Sequence, residues 1–497
     1  MLKKHYQSML NKKQQIQNSF IYIISMGFKS ILPLITLPIF TRILTPEDYG
    51  VLGLSLIYAT FVGGLANFGV SLAFDRNYFQ YQNKSRKLGQ LLFTSLTFIF
   101  MNFLILLVFT IIFRNNISIL LTGSSENGML IVTASIAYFI LNISNNFFYT
   151  FLKNGEKAGT YTRYKIFESL IIFIISAYLV AFLKIGVIGI VLSHISAGIL
   201  LFSAFMFTTL KKLPFSLNKA VLFELLKISY PLTPMIFIGV LSTQFDKYMI
   251  GLMATIGSVG IYHIGKRISE VVFFFMTTLQ NVFHPQVYKR MFNQHEHGSE
   301  SIGSYLTPFL YLSTAVALCT ALFSKELVTI LTPVSYHGAI PIISILAMWY
   351  GSMFFGKIPQ LLYVKKTHIS TALLILGMSL NIGLNIPFIM KFGAIGAAWA
   401  TMLAGLISGS ISLIVAQHYY RINYEWKKII WIMGTFFTGA ITIISMHLLE
   451  YPYLWSLFLK GIIMGIFINL GVRYGIISKE NFGEVKSAIR FRSVVEA

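Results

Sequence analysis

The chain has 497 residues, of which 56% are hydrophobic and only 11% charged, and its mean hydropathy is +0.71. An average soluble domain carries about 25% charged residues, so this composition excludes a water-soluble globular protein, whose core could not hide so much apolar surface. The formal net charge of +22 does not point to nucleic acid, because the basic residues stand in short clusters between apolar stretches rather than on a basic face or arm, and the single cysteine, Cys319, excludes a disulfide framework or a thiolate metal site.

Apolar stretches of about 20 residues, enough to cross a roughly 30 Å hydrocarbon core, run from one end of the chain to the other. In order, the predicted spans are 16–40, 50–74, 88–113, 128–152, 161–183, 186–210, 222–250, 259–285, 303–324, 339–364, 369–390, 393–418, 428–448 and 453–476. The first is too long for a signal-peptide core and no small-residue cleavage site follows it, so it is expected to stay in the mature protein. All fourteen are expected to be helical, because backbone groups in lipid must be satisfied locally and such long runs lack the alternation of a membrane barrel.

Lysines and arginines alternate between connections in the way this map requires. Clusters at Lys3–Lys13, Arg76–Lys87, Lys153–Lys165, Lys211–Lys227, Lys289–Arg290, Lys365–Lys366, Arg421–Lys428 and the tail place 28 basic residues on one side, against six on the other (Arg42, Arg114, Lys184, Lys247, Lys325 and Lys391). The positive-inside rule then puts both termini in the cytoplasm, in a multi-pass protein of the bacterial inner membrane. No connection exceeds roughly twenty residues, too short for a folded extramembrane domain of about 50 residues, so the function is expected inside the membrane.

An internal repeat is visible. Lys184-Ile-Gly-Val-Ile-Gly189 recurs as Lys391-Phe-Gly-Ala-Ile-Gly396, and the offset of 207 residues continues through Ala197-Gly198 and Ala404-Gly405. A weaker echo links Phe40-Thr-Arg42 to Phe245-Asp-Lys247 and Asp48-Tyr-Gly50 to Ser258-Val-Gly260. Six helices lie between the copies, so the halves share one orientation and are expected to relate by an axis along the membrane normal. The expected organisation is an N-lobe at 1–215, a C-lobe at 216–420, and two further helices with a tail at 421–497. Pro33 and Pro38 in the first helix, and Pro231 and Pro234 in the seventh, are expected to bend the opening helix of each lobe, or only to shape its packing.

The runs Leu37-Pro-Ile-Phe-Thr-Arg-Ile-Leu-Thr-Pro-Glu-Asp-Tyr-Gly50, Asp246-Lys247, Leu380-Asn-Ile-Gly-Leu-Asn385 and Gly393-Ala-Ile-Gly-Ala-Ala-Trp-Ala-Thr401 together resemble the polysaccharide flippases of the multidrug/oligosaccharidyl-lipid/polysaccharide exporter superfamily. The resemblance covers the first twelve helices. It implies an all-α polytopic membrane fold like that of the MATE multidrug exporters, with two six-helix lobes around a cavity that opens to each side in turn. It also implies carriage of an undecaprenyl-pyrophosphate-linked oligosaccharide, such as an O-antigen or capsule unit, with no cofactor.

Ionisable residues deep in a span are costly and mark candidate sites. Here they are mostly basic. Lys29 lies about 20 Å into the first helix, beyond a lysine's reach to the surface, and Lys266 and Arg267 lie one to two turns into the eighth. These, with Lys357 beside Pro359, form the expected cationic site for the pyrophosphate, since their side chains supply charge-assisted hydrogen bonds to its oxygens. Against this stand an intrahelical ion pair to Glu270 for Lys266 or Arg267, snorkelling for Lys357, and a solvated or mutually paired state for Arg163, Lys165 and Glu168. Asn142, Asn145, Asn146, Asn381 and Asn385 are candidates for sugar hydroxyls, or else glue between helices.

A multidrug antiporter of the same fold is the alternative function, but it needs buried carboxylates. Only Glu168 and Glu270, with Glu224 at a span edge, are read within the spans, and the first two have basic neighbours. A membrane polymerase, ligase or glycosyltransferase would need a large external loop or a carboxylate set, and no phosphate-binding G-x-x-x-x-G-K-[ST] loop is present. His295 and His297 are read as solvated in a charged loop. The chain is therefore read as a transporter rather than an enzyme. Membrane lipid and the lipid-linked oligosaccharide are its expected partners, a polysaccharide polymerase is a candidate partner, and proton, sodium and membrane-potential coupling all stay open.

Overall fold

The computed structural model describes residues 27–28, 32–81, 83–293, 295–354 and 359–477. Each predicted span coincides with helix among these residues, and no strand occurs there. In chain order, after a helical stretch at 32–40, the elements are α1 (Pro46–Asn67), α2 (Val70–Tyr81), α3 (Ser85–Ile112), α4 (Arg114–Thr122), α5 (Gly128–Asn154), α6 (Ala158–Phe182), α7 (Val187–Thr208), α8 (Lys219–Ser229) and α9 (Thr233–Met253). They continue with α10 (Ile256–Asn293), α11 (His295–Leu322), α12 (Ser324–Leu331), α13 (Ala339–Ser352), α14 (Thr367–Tyr419), α15 (Trp426–Leu448) and α16 (Tyr453–Arg473). Nine helices among the described residues are long and apolar enough to cross a membrane. α14 accounts for two predicted spans, its halves meeting at Gly393.

Lipid shapes these helices as solvent. In α3, Leu91, Leu92, Ser95, Ile99 and Phe103 are buried, whereas Met101, Ile105, Val108 and Ile112, three and four residues apart, stand exposed, Ile105 by 69%. A water-facing stripe of that kind would be a liability, but against hydrocarbon it costs nothing. The buried face joins Phe74, Phe139, Phe147 and Phe148 in one aromatic core, where the Phe103 and Phe139 rings stack at 3.6 Å.

The chain divides into two compact units, on either side of Gly260. In the first, the weak echo between Asp48-Tyr-Gly50 and Ser258-Val-Gly260 proves structural. Thr45 caps α1 by accepting from the Asp48 amide at 3.2 Å, and Thr255 accepts from the Ser258 amide at the same distance. The two helix starts then touch through their glycines: a Cβ on Gly50 would lie 2.0 Å from the Ile256 carbonyl oxygen, and one on Gly260 1.9 Å from that of Pro46. Only glycine permits that approach.

The stronger repeat also holds at the level of dihedrals. Gly186 takes φ 69°, ψ −154° and Gly393 takes φ 57°, ψ −134°, a region essentially reserved for glycine. A third match joins Phe113 and Phe323, which hand one helix to the next with φ −97° and ψ of 14° and 20°. The break in the seventh span is present as a 3₁₀ turn at Tyr230–Leu232 between α8 and α9, where Pro231 cannot donate to an α ladder.

One expectation is corrected here. His295 and His297 do not lie in a loop, because helix resumes at His295 and continues to Leu322, with Pro308 inside it.

Candidate functional site

Lys29 and Lys357 lie outside the described residues. The other candidates fall into separate places in the two units.

In the first unit, α5 contains a π-helical stretch at Ser144–Phe148. A π turn inserts a residue into the helix and re-aims its neighbours, and such turns concentrate at functional positions. Here it carries Asn145 toward α6. The Asn145 Oδ1 accepts from Lys165 Nζ at 2.5 Å, while its Nδ2 donates to the Leu141 carbonyl at 2.9 Å. Lys165 Nζ also lies 3.0 Å from Glu168 Oε2 and 3.8 Å from the centre of the Tyr149 ring, and the Tyr149 hydroxyl donates to that same carboxylate oxygen at 2.7 Å. The Lys165 and Glu168 side chains are 7% and 8% exposed. Of the two states expected for this pair, mutual pairing holds and solvation does not, whereas Arg163 is exposed. Burying both charges is tolerable because each meets an opposite charge and a further polar or aromatic partner.

Asn142 and Asn146 hydrogen-bond to each other, and with Asn67, Gly63 and Phe139 they line a crevice of about 10 Å³. That is room for about one water molecule. It does not hold a sugar in this conformation.

In the second unit, Lys266 and Arg267 lie ten and eleven residues into α10 and are half-buried. Glu270 is exposed, and among the described residues it pairs with neither of them. Arg267 forms no ion pair there either. Asn381 donates to the Thr401 hydroxyl at 3.3 Å and Asn385 donates to Asn381 at 3.2 Å, so this pair stitches the two halves of α14 together, as membrane asparagines often do.

A cleft of about 510 Å³ opens in the same unit, lined by Gln280, His284, Trp349, Ser352, Ser370 and Ser408 among mostly apolar neighbours. The Trp349 ring packs against Gly405, where a Cβ would come within 2.3 Å of it.

One charged pair escapes a reading by sequence. Lys460, two turns into α16, is 1% exposed and donates to both oxygens of Glu326 on α12, at 2.6 and 2.8 Å. Burial pushes the Glu326 carboxyl up, but hydrogen bonds from Lys460, the Glu326 backbone and Tyr453, together with the Lys460 charge, outweigh it and leave the group below its ordinary value. Asp246 and Lys247 are both buried near the end of α9, so the acids within the spans include Asp246 besides Glu168 and Glu270. The partner of Lys460 is 134 residues away, beyond any local pattern. Asp246 and Lys247, by contrast, stand at the end of a hydrophobic run and were detectable as intramembrane charges.

Residues 16–276 match the family model described as polysaccharide biosynthesis protein. A probable low-salt glycan biosynthesis flippase, Agl15, of Haloferax volcanii is 23% identical over 198 residues, which cover 39% of this chain and 42% of that protein. The chain thus spans less than half the length of this curated relative. Among solved structures, the lipid II flippase MurJ in an inward closed conformation superposes with a TM-score of 0.70 at 16% identity, over 93% of this chain and all of that one. An inward-facing multidrug resistance MATE transporter superposes at 0.60 with 15% identity, over 78% and 94%. With helices matching in order, a repeat with matching glycine geometry and a family match over more than half its length, this multi-pass membrane chain belongs to the polysaccharide biosynthesis protein family and has the fold of the multidrug/oligosaccharidyl-lipid/polysaccharide exporter superfamily.

Proposed function

We propose that this protein is a flippase that carries a lipid-linked oligosaccharide across the cytoplasmic membrane by alternating access, with both termini in the cytoplasm and undecaprenyl pyrophosphate as the lipid carrier. The observation that carries the reading is the state of the charges in the membrane helices. Glu168, an acid a cation antiporter could use, is committed to Lys165 and Tyr149, whereas the half-buried Arg267 of α10 has no ion pair among the described residues. A guanidinium at that depth is expensive unless water or an anion meets it. A diphosphate supplies the charge and the planar array of acceptor oxygens that guanidinium recognises. The relationship to Agl15 and the fold shared with MurJ support the same reading.

The test is surface glycan display in a strain lacking the gene, with variant abundance checked by blot. Arg267→Lys is expected to retain part of the display, Arg267→Ala to reduce it by at least about tenfold, the worth of one charge-assisted contact, and Arg267→Glu to abolish it. Lys29→Arg, Lys29→Ala and Lys29→Glu are expected to rank in the same order. Full display by normally abundant Arg267→Glu and Lys29→Glu variants would refute a cationic site for the pyrophosphate.

A further inference from the structure

The connection between α14 and α15 is built more firmly than a linker requires. Residues 421–425 form neither helix nor strand but a tight turn, in which the Tyr424 amide donates to the Ile422 carbonyl at 3.0 Å and the Trp426 amide to the Tyr424 carbonyl at 2.9 Å, and burial alternates along it: Ile422 and Tyr424 are 1% and 7% exposed, whereas Arg421 and Asn423 are exposed. The inward pair enters the aromatic core formed by Phe283, Phe309 and Phe354. The backbone is locked by Gln417 at the end of α14, which accepts from the Ile422 amide at 2.6 Å and donates to the Ile422 carbonyl at 2.8 Å, as a neighbouring strand would. Gln360 adds a bond to the Tyr420 carbonyl at 2.6 Å. Beneath lies α11, so close that a Cβ on Gly303 would come 1.9 Å from the Asn423 carbonyl oxygen.

What this frame presents is a cavity of about 520 Å³ lined by His418, Arg421, Asn423 and Trp426, with Gln417 and Tyr424 at its base. Arg421 forms no ion pair among the described residues. Glu425, four residues after Arg421, is taken by Lys428 at 2.7 Å, and the exposed Lys427 forms no ion pair among the described residues. The cavity sits where a membrane helix ends, beside a tryptophan of the kind that settles at headgroup level, in the basic cluster of Arg421, Lys427 and Lys428.

We infer that this cavity binds the phosphate of an anionic phospholipid of the surrounding leaflet, Arg421 and Asn423 donating to the phosphate oxygens and Trp426 lying along the glycerol and upper acyl chain. A guanidinium held by a rigid loop loses little freedom on capturing a phosphate, which favours a defined site over a diffuse attraction. Basic pockets at the ends of membrane helices recognise headgroups by this chemistry.

The experiment uses the full chain purified in neutral detergent and a fluorescent short-chain phosphatidylglycerol, with phosphatidylcholine of equal chain length, inorganic phosphate and pyrophosphate as competitors. Phosphatidylglycerol is expected to bind saturably and to be displaced only by unlabelled phosphatidylglycerol. Arg421→Ala is expected to weaken it about tenfold and Arg421→Lys by less. Both substitutions are on an exposed side chain, and an unchanged gel-filtration profile would show that they fold. Equal binding by the Arg421→Ala variant, or equal competition by phosphatidylcholine, would overturn the site. Displacement by pyrophosphate at the same concentration would overturn its assignment to a membrane phospholipid.

Discussion

The Lys165–Glu168 pair sets up a quantitative test of how α5 and α6 are held. Its Nζ and Oε2 lie 3.0 Å apart with both side chains more than nine-tenths buried, so removing one partner strands the other charge at a cost of about 3–5 kcal/mol, while replacing both with neutral groups of similar volume is close to neutral. The two single variants should differ. Lys165→Met leaves a carboxylate that keeps the Tyr149 hydroxyl as a donor, and removes the donor from Asn145 Oδ1. Glu168→Gln leaves Lys165 with Asn145 and the Tyr149 ring at 3.8 Å, so it should cost less. The double variant Lys165→Met with Glu168→Gln should recover about 2 kcal/mol or more of the summed single losses, the signature of coupled residues. Unfolding by sodium dodecyl sulfate titration in mixed micelles, followed by tryptophan fluorescence, measures all four proteins. A Lys165→Met variant within about 1 kcal/mol of the native protein, or a double variant losing the full sum, would refute the claim that this pair is a coupled buried contact.

Two further outcomes follow from particular contacts. Glu326 titrates below its ordinary value in the folded protein, so the stability it contributes is present above the unfolded carboxylate range and is lost as pH falls through the lower folded value. Thermal midpoints should therefore hold from neutrality down to about pH 5 and drop below about pH 4, and Glu326→Gln should flatten that drop; an identical acid profile in the variant would remove Glu326 as its source. At Gly260, alanine would place a Cβ 1.9 Å from the Pro46 carbonyl and should destabilise by about 1–3 kcal/mol, measured by the same titration. Alanine at Gly159, with nothing within 4 Å, serves as the control expected to be neutral or slightly stabilising.

The positions of the helices were decided by sequence because lipid imposes a local requirement: a span must be long and apolar in itself, whatever it packs against. That is why the predicted spans coincide with helix wherever their residues are described, and why the six-residue match at Lys184 and Lys391 predicts a shared backbone shape that Gly186 and Gly393 both adopt. Family membership was legible for the same reason, through runs of residues whose order carries the information. Proline signals in the seventh span were local too, and the 3₁₀ turn at Tyr230–Leu232 lies where they stand.

Tertiary structure alone decided what the polar residues do. By sequence Asn145 could serve a sugar or a helix contact; the π turn at Ser144–Phe148 aims it at Lys165, and nothing in the residues Ser-Asn-Asn-Phe-Phe announces a π turn, which depends on how the helix packs. Lys460 sits in a hydrophobic run and becomes tolerable only because Glu326 meets it from another helix. Arg421 and Asn423 belong to an unremarkable loop in sequence, and only the burial of Ile422 and Tyr424 between them, with Gln417 bonded to the backbone, turns that loop into a rigid frame. Hydrophobic length is a property of one segment, whereas the pairing of a charge is a property of two, and chain order does not say which two will meet.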